Sequence, residues 1–479
     1  MRKTASLTPL SANRPLFILQ IIIAAALFME GIDASMLSTA LPAIAASFQV
    51  DVIQLKLAFV AYFLAMAIAI PISGWCADRF GARTIFCSAL TIFTLASIAC
   101  ACAPNFYIFL VGRSLQGVSG ALVFPVGRLI LVRSMPKSEF IRAFSNVTIP
   151  ATIGIIVGPM LGGFLTTYMH WSWLFWINLP IGIAIIAVGL KYVPKFRGAP
   201  PAFDLIGFLL SGFGLAALGY GFSALGDRSL PAHTVALLTM SGVVLMLVYF
   251  WRARKMVAPA LDLRLFSIKT YRIGIVCGFI IRAVGAGTFF FLLPMMLQVG
   301  FGFTPLQSGS VTFASAAGFL AAKCLIQKIL RRFGFRRALS INAIIGSLCI
   351  GMLALFLPTT PRIVMIALLF VAGLSRCLQY MALDIMSYAD MPPSAVSRAS
   401  TMANVSKQLA MAGGVAFAAW VLERVEATRQ VFYVDITNFH IAFILVAIPA
   451  MATLFMLLRM APDAGKEVSG HQPPVRRCD

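Results

Sequence analysis

Charge is scarce in this sequence. Of its 479 residues, 60% are apolar and only 11% are charged, and mean hydropathy is +0.93. A soluble globular domain carries about 25% charged residues, and so apolar a chain has too little polar surface to cover itself in water. Histidine is scarce as well: His170, His233, His440 and His471 lie far apart. The nine cysteines include no Cys-x-x-Cys pair and no Cys/His cluster, so no metal site is readable. No Gly-x-x-x-x-Gly-Lys-Ser/Thr loop occurs, which argues against ATP-driven work by this chain alone. No Ser/His or His/Glu constellation converges, so an enzyme is not expected. Together these absences exclude a soluble enzyme, a disordered tail protein and a small disulfide scaffold.

What the sequence does have is apolar runs of about 20 residues, the length that crosses a bilayer. Fourteen are read, near 16–41, 53–73, 84–103, 106–132, 143–168, 173–190, 204–223, 232–251, 273–299, 306–330, 338–358, 363–388, 399–421 and 437–458. The first is too long for a cleaved signal peptide and carries Glu30 and Asp33. The net charge of +22 suggests nucleic acid in a soluble chain, but here the basic residues fall mostly between apolar runs. With the N-terminus inside, only Lys56, Arg228, Arg362, Arg424 and Arg429 of the 38 Lys and Arg residues fall in outside loops. That asymmetry places both termini in the cytoplasm. The expected partners are therefore the lipid bilayer, a small-molecule substrate and protons, with no nucleic acid and a monomeric chain.

Two cytoplasmic turns echo each other. Asp78-Arg79-Phe80-Gly81-Ala82-Arg83 follows span 2, and Arg331-Arg332-Phe333-Gly334-Phe335-Arg336 follows span 10. Duplicated halves around a central site mark secondary transporters. The expected organisation is a six-span bundle over 1–193, two extra spans in a linker over 194–270, a second six-span bundle over 271–460, and a flexible cytoplasmic tail over 461–479.

Five segments in register resemble the fourteen-span drug:proton antiporter branch of the major facilitator superfamily. They are Gly74-Trp75-Cys76-Ala77-Asp78-Arg79-Phe80-Gly81-Ala82-Arg83 after span 2, Arg113-Ser114-Leu115-Gln116-Gly117 in span 4, and Gly154 through Gly163 in span 5. Asp33 through Leu41-Pro42 in span 1 and Trp171 through Gly182 at the entry to span 6 complete the set. The resemblance covers nearly the whole chain. It implies an all-α membrane protein of the major facilitator fold, with two six-helix bundles plus two extra transmembrane helices. The implied function is a proton-coupled exporter of small amphiphilic compounds or drugs in the cell inner membrane, with the proton gradient in place of a cofactor. Export of organic anions or metal-carboxylate chelates is the alternative.

Each motif also has a physical reading. Gly74, Asp78, Arg79, Gly81 and Arg83 form a tight turn in which glycine permits positive φ. Asp78 is expected to pair with Arg79 or Arg83 and to accept hydrogen bonds from a helix N-terminus of the other half, latching the cytoplasmic side. A plain topogenic turn with weak surface ion pairs is the other reading. Gly154, Gly158 and Gly162 recur every four residues on one helix face, suited to close helix packing, beside Gly163 and a helix-interrupting Pro159. In the resembling branch this motif marks antiporters.

Ionisable residues at bilayer depth are costly and are functional candidates by default. Asp33 and Arg113 fall at nearly the same depth, Glu30 shares the Asp33 helix face nearer the bilayer centre, and with Gln116 the four are expected to form one polar cluster in a hydrated chamber. Burial favours a neutral carboxyl group and a nearby guanidinium favours an ionised one, so moving the arginine would switch protonation. A static ion pair that fixes helix register is the alternative, and either acid can carry the proton. In the second half, Arg282, Arg376, Asp384, Lys407 and Gln408 are the substrate-cavity candidates, while Lys323 is expected to snorkel to the interface. Acidic and aromatic residues suit lipophilic cations; surplus cations suit organic anions.

Overall fold

A computed structural model describes residues 9–135, 137–198, 203–225, 231–256, 259, 261–429, 435–461 and 464–469. Among the described residues all regular structure is helical. Most of the expected tail, 461–479, lies outside them, as do Arg228 and His471.

Fourteen long helices follow the apolar runs in order. The first six are α1 (Pro9–Met36), α2 (Lys56–Ala69), α3 (Ala82–Ala101), α4 (Phe106–Ser134), α5 (Lys137–Tyr168) and α6 (Asn178–Tyr192). Next come α7 (Leu205–Ser223) and α8 (Ala232–Ala253), and then α9 (Lys269–Ala286). The last five are α10 (Pro305–Lys323), α11 (Ile326–Met352), α12 (Arg362–Ser387), α13 (Val396–Arg429) and α14 (Ile436–Leu458). Thirteen spans among the described residues are long and apolar enough to cross a membrane. The remaining helix, α10, has 19 residues. It is rich in Ser, Gly, Ala and Thr, which lowers its hydropathy and lets neighbours approach closely. A Cβ on Gly318 would collide with the Phe370 carbonyl of α12, and one on Gly309 with the Pro159 carbonyl of α5.

Local chemistry sets the helix ends. Asn105 caps α4 by accepting from the Ile108 N–H at 3.0 Å. Thr304 and Gln307 form a reciprocal capping box at the start of α10. The echoed turns share a backbone device: an eight-residue helix, Ser73–Phe80, runs up to Gly81, whose φ is +96°. Its counterpart is Gly334 at φ +70°, inside α11. A side chain at either would be strained. This moves one boundary: span 10, expected to reach 330, ends at Lys323, and Ile326 to Phe333 form a short helical segment before the Gly334 bend.

The inserted pair is held by close contacts. Asp204 caps α7 through the Gly207 N–H and pairs with Arg252 of α8 at 2.8 Å. A Cβ on Gly242 would lie 2.7 Å from the Leu218 N, and one on Gly219 2.6 Å from a Leu64 methyl of α2. α7 therefore docks on α2 of the first half and also on α13 of the second, while most of α8 faces outward. The six N-terminal helices lie on one side of a central cavity and α9–α14 on the other.

Candidate functional site

In the first half a closed polar network joins four helices. Asp33 on α1 accepts from Arg113 Nη1 at 2.7 Å, from Gln116 Nε2 at 3.1 Å and from Asn178 Nδ2 at 2.9 Å. The same Arg113 nitrogen donates to Gln116 Oε1 at 2.7 Å. Ser97 on α3 accepts from Gln116 at 2.8 Å and from Asn178 at 3.3 Å. The Arg113 guanidinium lies 4.6 Å from the centre of the Tyr62 ring. Arg113 and Gln116 are 0% exposed and Asp33 is 2% exposed.

The expected cluster therefore forms, with two corrections. It is sealed rather than hydrated, because Tyr62, Asn178 and Ser97 enclose the pair. Glu30 also stands apart from it. One helical turn before Asp33, Glu30 faces the central cavity instead, and its buried Oε2 has no hydrogen-bond partner among the described residues.

That cavity has a volume of about 390 Å³, within the range of small-molecule sites. Glu30, Tyr62, Phe63 and Phe124 contribute to one wall, and Arg282, Phe290, Tyr380 and Lys407 to the other. Gln408 lies on the same second-half wall. Most lining positions fall at mid-helix or toward the face that carries the chain termini. On the opposite face the halves touch. Lys56, the first residue of α2, is ion-paired with Glu423 of α13. The Phe59 and Phe290 rings are 6.2 Å apart, and the Leu306 N–H donates to Thr167 Oγ1 at 3.0 Å. The cavity is thus closed on the face away from the termini.

Of the second-half candidates, Arg282, Lys407 and Gln408 line this cavity. Asp384 bridges the two cations, accepting from Arg282 Nη2 at 2.8 Å and from Lys407 Nζ at 2.9 Å. Arg376 does not reach it. Its guanidinium lies 4.3 Å from the Phe289 ring centre and lines a separate, smaller cavity. Nor does Lys323 snorkel: its Nζ donates to Thr152 Oγ1 of α5 at 2.8 Å, across the two halves.

The turn after α2 also differs from expectation. Asp78 pairs with Arg133 Nη2 at 2.8 Å, not with Arg79 or Arg83, and its backbone carbonyl accepts from the Gly198 N–H. Arg79 is the next residue and cannot face the same way. Arg83 begins a new helix beyond the Gly81 bend, whereas Arg133 ends α4 alongside. Both partners of Asp78 belong to the first half or its exit strand. Gly74 has open space where a Cβ would stand.

The α5 glycines form two contact faces. A Cβ on Gly154 would lie 2.5 Å from the Phe28 carbonyl, and one on Gly162 2.6 Å from the Met36 carbonyl, both on α1. One on Gly158 would strike the Ser35 hydroxyl, also on α1. Gly163 instead abuts the Pro305 carbonyl, and the Pro159 carbonyl abuts Gly309, both across the halves on α10. α5 is therefore wedged between its own bundle and the other one.

These features match known proteins across the chain. The model of the Major Facilitator Superfamily matches residues 23–415 and again 275–477. The chain belongs to the major facilitator superfamily. Among curated relatives, a protein of Serratia proteamaculans with the provisional name multidrug resistance protein MdtD is 33% identical over 443 residues, which is 90% of this chain and 91% of the relative. Its namesake in Yersinia enterocolitica is 32% identical over 445 residues, 90% and 93% of the two chains. A crystallised D-xylose–proton symporter superposes with TM-score 0.66 at 14% identity, covering 94% of this chain and 99% of its own. A bacterial homologue of the human lysosomal transporter Spinster, in an inward-facing conformation, superposes at 0.61 and 15% identity, covering 98% and 100%. The fold and family are those of multi-pass membrane transporters rather than enzymes.

The sequence reading missed Tyr62, Ser97, Lys56 and Tyr380. Asn178 carried a signal, being polar inside an apolar span and part of a quoted motif. Ser97 carried none. Lys56 was visible only as one of the few outside bases.

Proposed function

We propose that this transporter exports small amphiphilic or cationic compounds from the cytoplasm in exchange for protons, in the inner membrane with both termini cytoplasmic. The observation that carries this reading is Glu30. It is an acidic side chain on the wall of the central cavity, it lacks a basic partner, and it stands among Tyr62, Phe63 and Phe124. A carboxyl group so placed can hold a proton in one stage of the cycle and a cationic substrate in another. Aromatic walls suit lipophilic cations. With the termini inside, the closed face is periplasmic and the cavity belongs to an inward-facing stage. The drug-resistance names of the relatives support the same class of cargo. Asp33, sealed within its network, is the structural anchor of this scheme, and Glu30 the proton carrier.

A second reading rests on the opposite wall. Arg282 and Lys407 share one acid, Asp384, leaving a surplus positive charge that an organic anion would neutralise.

Proteoliposomes with an imposed pH gradient separate the two. Flux of a cationic dye is expected, and Glu30→Gln is expected to reduce it at least about tenfold, equivalent to about 1.4 kcal/mol. Absence of gradient-driven flux for every cation and carboxylate tried would end the exchange scheme. Carboxylate flux lost in Lys407→Ala but kept in Glu30→Gln would select the second reading.

A further inference from the structure

Arg376 is the intramembrane cation that the transport scheme leaves unexplained. Among the described residues, Arg113 has Asp33, Arg282 and Lys407 share Asp384, and Lys323 has Thr152. Arg376 has no acidic or hydrogen-bonding partner among them; it meets only the rings of Phe289 and Phe319. Ring faces attract a guanidinium but do not accept its N–H groups in the plane. Even a half-buried cation inside a helix bundle is costly without an anion.

The small cavity beside it is lined mainly by apolar side chains, with a few hydrogen-bond donors set among them. Gln379, one helical turn further along α12, is 2% exposed, and its Nε2 has no partner. The amide orientation is fixed, because Gln379 Oε1 accepts from Asn342 Nδ2 at 2.7 Å. That Asn342 nitrogen also donates to the Ser375 carbonyl at 2.8 Å, so turning the Gln379 amide would set two NH₂ groups against each other. Ser347 on α11 lines the same cavity, is 4% exposed, and has an unpartnered hydroxyl. Three donor groups, one of them charged, thus surround a cavity of about 30 Å³. That volume admits a single water-sized occupant and is far below what an organic substrate needs.

The first half shows what such a set of donors binds. Arg113-Ser114-Leu115-Gln116 holds the Asp33 carboxylate between its arginine and its glutamine. Arg376-Cys377-Leu378-Gln379 repeats the spacing and the residue types, with no carboxylate beside it among the described residues. We propose that a chloride-sized inorganic anion occupies this cavity, held by Arg376, Gln379 and Ser347. Tyr380 follows Gln379 directly and lines the central cavity, so the anion sits one residue behind the substrate wall and steadies it.

The test is thermal melting of purified full-length protein while chloride replaces gluconate at constant ionic strength. Gluconate carries the same charge but is too large for the cavity. An anion bound to the folded state alone raises the melting temperature with its concentration. The wild type is expected to melt higher in chloride. Gln379→Glu places a tethered carboxylate beside Arg376 and is expected to remove that dependence. Ser347→Ala, a small change, is expected to raise the half-saturating chloride concentration several-fold, and it serves if Gln379→Glu does not fold. Bromide soaked into crystals should give an anomalous peak at this cavity. Equal melting in chloride and gluconate, or an undiminished chloride response in Gln379→Glu or Ser347→Ala, would overturn the proposal.

Discussion

The two halves of this transporter treat buried charge in opposite ways. The first half folds its arginine into a buried network with Asp33, Gln116, Asn178 and Ser97, in which one guanidinium nitrogen is shared by Asp33 and Gln116 while Arg113 Nε and Nη2 have no partner among the described residues. The second half leaves Arg282 and Lys407 on the cavity wall and Arg376 without an acid. A buried network has one low-energy arrangement, and a wall of partly compensated cations can respond to what enters. The first half is therefore the rigid reference, Glu30 excepted, and the second half the responsive one.

The largest expected effect tests the rigidity. Asp33→Ala leaves the Arg113 guanidinium buried without a counter-charge, which costs about 3–5 kcal/mol. Replacing both partners, Asp33→Leu with Arg113→Met, removes the charge altogether and is expected to recover most of that loss. Denaturation of the purified variants in detergent measures both. A single variant as stable as the wild type would show that Asp33 and Arg113 are not the fixed pair described. In the second half, Lys407→Ala leaves Asp384 its bond to Arg282 and is expected to lower stability far less than Asp33→Ala.

A sharper contrast sets Glu30 against Asp33, one helical turn apart on α1. Glu30→Gln replaces a carboxyl group that no described residue pairs with, so the fold is expected to keep its melting temperature while pH-driven flux falls. In Asp33→Asn, flux and melting temperature are expected to fall together. If Asp33→Asn lost flux with unchanged stability, the sealed acid would be the proton carrier and the two assignments would exchange.

Much of this was legible in the residues. The apolar runs gave the helices, and the four-residue glycine spacing in α5 gave a close-packing face, though not its partner, which is α1. Helical spacing also brought Asp33 to Arg113, because residues at matching depth on neighbouring spans must either pair or pay desolvation. What failed was anything decided by side-chain direction. Glu30 and Asp33 are three residues apart, which suggests one face. Yet a helical offset of about 60° is enough to turn one acid into the bundle and the other toward the cavity. Arg376 sits at mid-span like a cavity residue, but the Phe289 and Phe290 pair lies in a π-helical stretch, Gly287–Leu292. Successive residues of a helix point about 100° apart, so Phe289 meets Arg376 while Phe290 lines the central cavity, and depth along a span does not tell which ring goes where. Ion pairs between distant spans, such as Lys56 with Glu423, leave no local signal at all.

That pair offers a moderate effect on the balance between states. Lys56 is 2% exposed and ties α2 to α13 on the closed face. Lys56→Ala weakens this closure without touching the cavity. Spin labels at the start of α2 and the end of α13 are expected to show a longer distance in a larger share of molecules. Each 1.4 kcal/mol of lost closure shifts the two populations tenfold. An unchanged distance distribution would make the pair a passive contact.

The smallest expected effect lies at the Asp78 turn, and it separates two roles for the same residue. The Asp78 and Arg133 side chains are 26% and 31% exposed, and a pair so hydrated contributes about 0–1 kcal/mol. Asp78→Asn is therefore expected to leave the melting temperature nearly unchanged. Its effect on flux decides the rest. In the inward-facing stage proposed above, Asp78 is engaged only within its own half. If it also latches the face bearing this turn when the cavity opens the other way, flux falls several-fold with stability intact, because one stage of the cycle loses its closure. If flux is as insensitive as stability, the turn serves topology alone, and closure of that face rests on other contacts between the halves, such as that of Lys323 with Thr152.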